Sequence, residues 1–94
     1  MPKILIYRNL VFIIFSVDIY ENRMHIHVVK RTIKKFIPAK FWVEPKIELA
    51  KPGDFSTKEL NEIQKIMEQQ KELITTQLEL FFHGKRIKLI TLKK

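Results

Sequence analysis

The chain has no cysteine among its 94 residues. That excludes disulfides, thiolate zinc sites and cysteine nucleophiles, so the fold stands on packing alone, as befits a reducing compartment. Glycine is nearly as scarce, with two in the chain, too few for a glycine-rich phosphate loop. G-x-S-x-G, H-E-x-x-H and carboxylate pairs at catalytic spacing are missing too. Ordinary hydrolase and nucleotide-enzyme chemistry therefore has no support, and no cofactor is expected. Long apolar runs are also lacking. The longest, Leu10 to Phe15, falls far short of the roughly 18 residues that span a bilayer. Arg8 and Asn9 interrupt the apolar N-terminal stretch, Asp18 and Glu21 follow it, and no A-x-A-like site appears. A buried hairpin is expected there rather than a cleaved leader, in a cytoplasmic protein with no membrane partner.

What the chain does have is apolar material, at 46% of residues, and a net charge of +8. Its length allows one domain, residues 1–94, with a core that is adequate but not generous. The charge is segregated. No acidic residue occurs from Asn22 to Val43, where Arg23, Lys30, Arg31, Lys34, Lys35 and Lys40 stand, nor after Glu79, where Lys85, Arg86, Lys88, Lys93 and Lys94 stand. Such segregation attracts nucleic acid or an acidic protein surface. Yet 14 of the 18 cations are lysine, in a chain that also holds 14 isoleucines. That composition favours a solvated surface over a nucleic-acid footprint, where forked arginine contacts are preferred.

Lys3 to Arg8 and Leu10 to Ser16 read as two β-strands joined at Arg8-Asn9, with asparagine supplying the positive φ of a tight turn. The second is apolar on both faces, which predicts a central strand. Met24 to Lys30 and Ala39 to Glu44 read as further strands, with Arg31 to Ile37 a basic loop between them and Pro38 and Pro45 at the strand ends. Ile47 to Ala50 is a short fifth candidate, followed by a turn at Lys51-Pro52-Gly53-Asp54. Ser56 and Glu59 then form an S-x-x-E capping box, with Phe55 and Leu60 placed as a hydrophobic staple. Leu60, Ile63, Met67, Ile74, Leu78 and Phe81 recur on one helical face, and Gly84 is a C-terminal stop. The spacing predicts one helix over about 56–82. The basic extension, 84–94, is either a sixth strand on an edge or a tail.

Two constellations carry chemistry. His25 and His27 are two apart on a strand and share a face. Paired imidazoles serve as general acid and base or as metal ligands. A zinc ion needs a third ligand, and Asp18, Glu21, Glu44 and His83 offer no recognisable spacing. The blander alternative is a polar strand face, with Met24, Ile26 and Val28 inward. Lys40, Trp42 and Glu44 alternate with Ala39, Phe41 and Val43. If the two strands pair, these residues join the histidines in one patch. Either Trp42 is an exposed anchor, or it fills the core and Phe41 faces out, because facing depends on register.

Met24-His25-Ile26-His27-Val28, Ala39-Lys40-Phe41-Trp42-Val43-Glu44-Pro45 and Gly53-Asp54-Phe55-Ser56-Thr57-Lys58-Glu59-Leu60 occur in this order. Together they resemble the motifs P-H-x-H-V, A-K-F-W-(L/V)-(D/E)-P and G-F-S-x-x-E-L of a small bacterial family, domain of unknown function 4160. Met24 replaces the usual proline, and the Arg31 to Pro38 link is longer and more basic. The family's genes often lie beside another small domain, an arrangement similar to toxin–antitoxin pairs, which implies a protein partner by association.

The sequence thus predicts an α+β fold, an antiparallel sheet of four to five strands packed on one long C-terminal amphipathic helix. The leading functional expectation is a non-enzymatic module that binds a small protein partner, or a second copy of itself, through His25, His27, Lys40 and Trp42. The alternative is a nucleic-acid-binding or ribonuclease-like protein. It would use Lys30, Arg31, Lys34, Lys35 and Lys40 on phosphate, with His25 and His27 as catalytic candidates at a ribose 2′-OH.

Overall fold

The computed structural model describes residues 3–14, 24–32 and 34–92. Six strands, β1 (Lys3–Tyr7), β2 (Leu10–Ile13), β3 (His25–Lys30), β4 (Ala39–Trp42), β5 (Glu48–Lys51) and β6 (Ile90–Leu92), form one sheet in the order β5-β4-β3-β2-β1-β6. Two helices, α1 (Thr57–Gln69) and α2 (Lys71–Phe82), lie between β5 and β6 in the chain. The apolar β2 is interior to the sheet, as its two-sided hydrophobicity requires. Phe15 and Ser16, the end of its predicted extent, lie outside the described residues.

Three expectations are corrected. The sheet has six strands rather than four to five and is mixed, because β6 pairs with β1 in parallel (Leu5↔Ile90, Tyr7↔Leu92). A strand reached after a helical layer that crosses the sheet returns in the same direction, so the edge-strand reading of the extension holds and the purely antiparallel one does not. The single helix is two, divided at Gln70 (φ −107°, ψ 21°). Three and four residues after Met67 stand Gln70 and Lys71, so the apolar stripe skips a turn there and packing does not hold the helix straight. The positive φ of the β1–β2 turn falls on Arg8 (55°), not on Asn9. Asn9 is used otherwise, accepting from the Arg31 N–H (2.9 Å) and from the Thr32 hydroxyl (3.1 Å).

The predicted helix start is present in full. The Glu59 N–H donates to Ser56 Oγ (3.2 Å) and the Ser56 N–H donates to Glu59 Oε1 (2.9 Å), while Phe55 and Leu60 are buried. Such a cap is worth about 1 kcal/mol. Lys30, arriving at the end of β3, pairs with Glu59 Oε2 at 2.6 Å. That hydrogen bond, reinforced by the Ser56 N–H, lowers the Glu59 pKa below the ordinary carboxylate value. A lowered pKa stabilises the fold above the unfolded pKa, and that contribution is lost as pH falls through the folded one.

The core lies between the sheet and the helices: Leu5, Phe12, Ile26, Val28, Ala39 and Phe41 meet Leu60, Ile63, Met67, Ile74 and Leu78. Each large side chain so buried contributes roughly 1.5–3 kcal/mol. Gln77 is buried among them, 5% exposed. Its amide donates to the Ile4 carbonyl (3.4 Å) and to that of Lys88, tying α2 to β1 and to the segment leading into β6.

A second clamp sits before α1. The Asp54 N–H donates to Ile37 O and the Ile37 N–H donates to Asp54 Oδ2, both at 3.0 Å. Gly53 has φ +57°, and a Cβ there would lie 2.5 Å from the Pro38 carbonyl. Both the left-handed backbone and the close approach require glycine. Gly53→Ala is therefore expected to destabilise the protein by about 2–4 kcal/mol, the sum of left-handed strain and overpacking. Urea denaturation measures it, and the midpoint should fall with an unchanged slope.

Candidate functional site: one face of the β3–β4 pair

Antiparallel pairing sets His25 opposite Trp42, Ile26 opposite Phe41, His27 opposite Lys40 and Val28 opposite Ala39. Because side chains alternate across a strand, Ile26, Val28, Ala39 and Phe41 face the helices, and His25, His27, Lys40 and Trp42 share the opposite face. Phe41 is fully buried and Trp42 only partly, so Trp42 does not fill the helix-side core. The four residues expected to act together are together. The His25 and His27 rings are 5.2 Å apart and the His25 and Trp42 rings 5.5 Å apart, each pair edge-to-face. Lys40 Nζ sits 4.6 Å from the centre of the Trp42 ring, within the range of cation–π attraction.

His25 is 1% exposed, and His27, Lys40 and Trp42 are half-buried. Val11 and Ile13 of β2 are also buried on this face, Ile13 directly beside His27. The patch thus has a buried apolar floor and a rim of two rings and an ammonium group. Register extends it onto β5, where Glu48 stands opposite Trp42 and Lys51 opposite Lys40. Glu44 is exposed beyond the end of β4.

A general acid–base pair must present both imidazoles to one reacting group. The burial of His25 and its edge-on contacts with His27 and Trp42 suit a ring that braces its neighbours. Among the described residues, no group of three or more His, Asp or Glu side chains is placed to hold a metal ion. His83, considered above as a ligand, caps α2, its Nδ1 2.7 Å from the Glu79 carbonyl. Asp18 and Glu21 lie outside the described residues.

The five cations expected to engage phosphate are divided by the fold. Lys30 is committed to Glu59 and lies 5.7 and 5.9 Å from the Phe36 and Phe55 ring centres on the helix side. Lys40 covers Trp42 on the other side. Arg31, Lys34 and Lys35 are exposed in the connection between β3 and β4. Glu48 and Gln77 belong to no motif in the sequence, and Asp54 stands there as a turn and motif residue without its tie to Ile37. Gln77 left a signal, a polar residue three positions after Ile74 on the apolar stripe, whereas the pairing of Glu48 with Trp42 depends on a register shift near Ala50. No described helix is long and apolar enough to cross a membrane.

Residues 9–78 match the family described as Domain of unknown function (DUF4160). The chain belongs to that family. No curated protein and no solved structure matches it.

The two faces make a measurable contrast. Phe41→Ala is expected to cost about 3–5 kcal/mol, as for a fully buried ring, and Trp42→Ala less than half of that. Equal losses in urea denaturation would mean that the two rings are buried alike and that the strand faces are not distinct.

Proposed function

We propose that this bacterial chain is a non-enzymatic interaction module that binds a small protein partner through the face of His25, His27, Lys40 and Trp42, as one member of a toxin–antitoxin-like pair in the cytoplasm. The observation that carries the reading is the position of Trp42. It is braced by a buried histidine and covered by an ammonium group, on the side of the sheet away from the helices. Tryptophan anchors binding hot spots because it offers a large rigid surface with little rotamer entropy to lose. A partner that displaces water from the ring would also set its own acid against Lys40, and the surrounding apolar floor excludes solvent. With no cysteine, the module carries no thiol through which redox state could act.

The ribonuclease-like reading has less support, because His25 is 1% exposed and both rings would have to reach one phosphate. The two readings separate in a tagged pull-down from the native host after nuclease treatment, run with wild type, Trp42→Ala and His27→Ala. The expected result is a small protein in stoichiometric amount on the wild type that survives nuclease and is lost from both variants, with unchanged circular dichroism. A second copy of the chain, released by the same substitutions, would make the partner a homodimer mate. Retention by the variants, or recovery of nucleic acid alone, would contradict the proposal.

A further inference from the structure

A different part of the molecule gathers positive charge. The β1–β2 turn at Arg8-Asn9 and the β3–β4 connection lie at the same end of the sheet, since β1 and β3 run parallel to each other on either side of β2. Asn9 fastens one to the other, taking the Arg31 N–H on its carbonyl at 2.9 Å and the Thr32 hydroxyl on its side chain at 3.1 Å. Arg8, Arg31, Lys34 and Lys35 are all exposed on the resulting rim.

Two acids that contact this end of the fold are already engaged. Asp54 accepts from the Ile37 amide and Glu59 from Lys30. Glu62 shares a cleft with Arg8 on the helix side, which leaves Arg31, Lys34 and Lys35 as the contiguous cationic set. The rings at this end do not offer a flat surface: Tyr7 and Phe36 are half-buried, and Phe36 packs edge-to-face on buried Phe55 at 4.6 Å. Bases therefore have no described ring to stack on, and single-strand recognition loses its usual source of affinity. Ile37, 61% exposed, is one apolar side chain, too little for insertion into a lipid surface.

We infer that this rim is a second binding surface, independent of the Trp42 face, for the sugar-phosphate backbone of double-stranded nucleic acid. A duplex presents a phosphate charge about every 1.7 Å of its axis, a dense array that exposed cations on one rim can meet without reading bases. Binding is sequence-independent and driven by counterion release.

The test is fluorescence anisotropy of a labelled 20-base-pair duplex of mixed sequence, titrated with the full chain between 50 and 200 mM salt. With three to four phosphate contacts, the logarithm of affinity should fall against that of salt with a slope of about −3 to −4. Arg31→Ala/Lys34→Ala/Lys35→Ala should weaken binding about tenfold or more at low salt and flatten the slope by about three. Lys34→Glu/Lys35→Glu, which leaves the arginine backbone tie alone, should weaken it in the same direction if the triple variant does not fold. Lys71→Ala, on α2, and Trp42→Ala should bind as wild type. Duplex binding that ignores salt, survives these rim substitutions or falls equally with Lys71→Ala would overturn the inference. So would binding to phosphatidylserine vesicles with none to the duplex.

Discussion

Between β3 and β4, Ile26 stands opposite Phe41 and His25 opposite Trp42, and the character of both sheet faces follows from that pairing. Strand side chains repeat every two residues, so a slip of one position would exchange the faces. It would send two histidines, a lysine and a tryptophan into the helix interface and turn Ile26, Val28 and Phe41 outward. The helices forbid this. Ile63, Met67, Ile74 and Leu78 are fully buried and packed with Ile26, Val28 and Phe41. The composition of one face therefore fixes what is displayed on the other.

The three sequence motifs that carry the family resemblance gather around that constraint. The first supplies β3 and the second β4, and together they set the register. The third, Gly53 to Leu60, holds the frame in place. Its glycine lets the backbone pass against the Ile37-Pro38 carbonyls, its aspartate exchanges hydrogen bonds with Ile37, and its Ser56 and Glu59 cap α1. Glu59 then reaches back to Lys30 at the end of β3. The start of the helix and the end of the strand are thereby fixed to one another, so the motif positions the helices over the face that the first two make apolar. Most of the motif residues have structural work of this kind, the buried His25 ring braced against His27 and Trp42 included; His27, Lys40 and Trp42 are the partly exposed ones on the other face.

Local chemistry made much of this legible. β-prone runs bounded by turn residues and prolines located five strands, and the S-x-x-E pattern located the start of α1, because each is set by residues close in sequence. The placement of His25, His27, Lys40 and Trp42 on one face followed from alternation plus one assumption, that their strands pair. What was not legible depends on distant contacts. The parallel β6 reflects the route of the chain after α2, and the division at Gln70 falls in a gap of the apolar stripe that the seven-residue step from Met67 to Ile74 bridges. Arg8 takes the positive φ that Asn9 seemed suited for, since the side chain and carbonyl of Asn9 are used by Thr32 and Arg31. Lys30, the last residue of the third predicted strand, is grouped by its charge with the basic loop that follows, yet alternation within β3 turns it to the helix side, where it pairs with Glu59. Charge runs in sequence are a poor guide to charge on a surface when a strand divides them between two faces.

The pairing register itself is open to a direct measurement, the nuclear Overhauser contacts of the aromatic rings in the isotope-labelled protein. The observed register predicts contacts between the His25 ring and the Trp42 indole, whose centres are 5.5 Å apart, and between the His25 and His27 rings at 5.2 Å. The Phe41 ring should instead contact helix methyl groups of Ile63 or Met67. Contacts from the Trp42 indole to Ile63 or Met67, with Phe41 beside the histidines, would contradict it, because the faces would then be exchanged and the tryptophan would belong to the core.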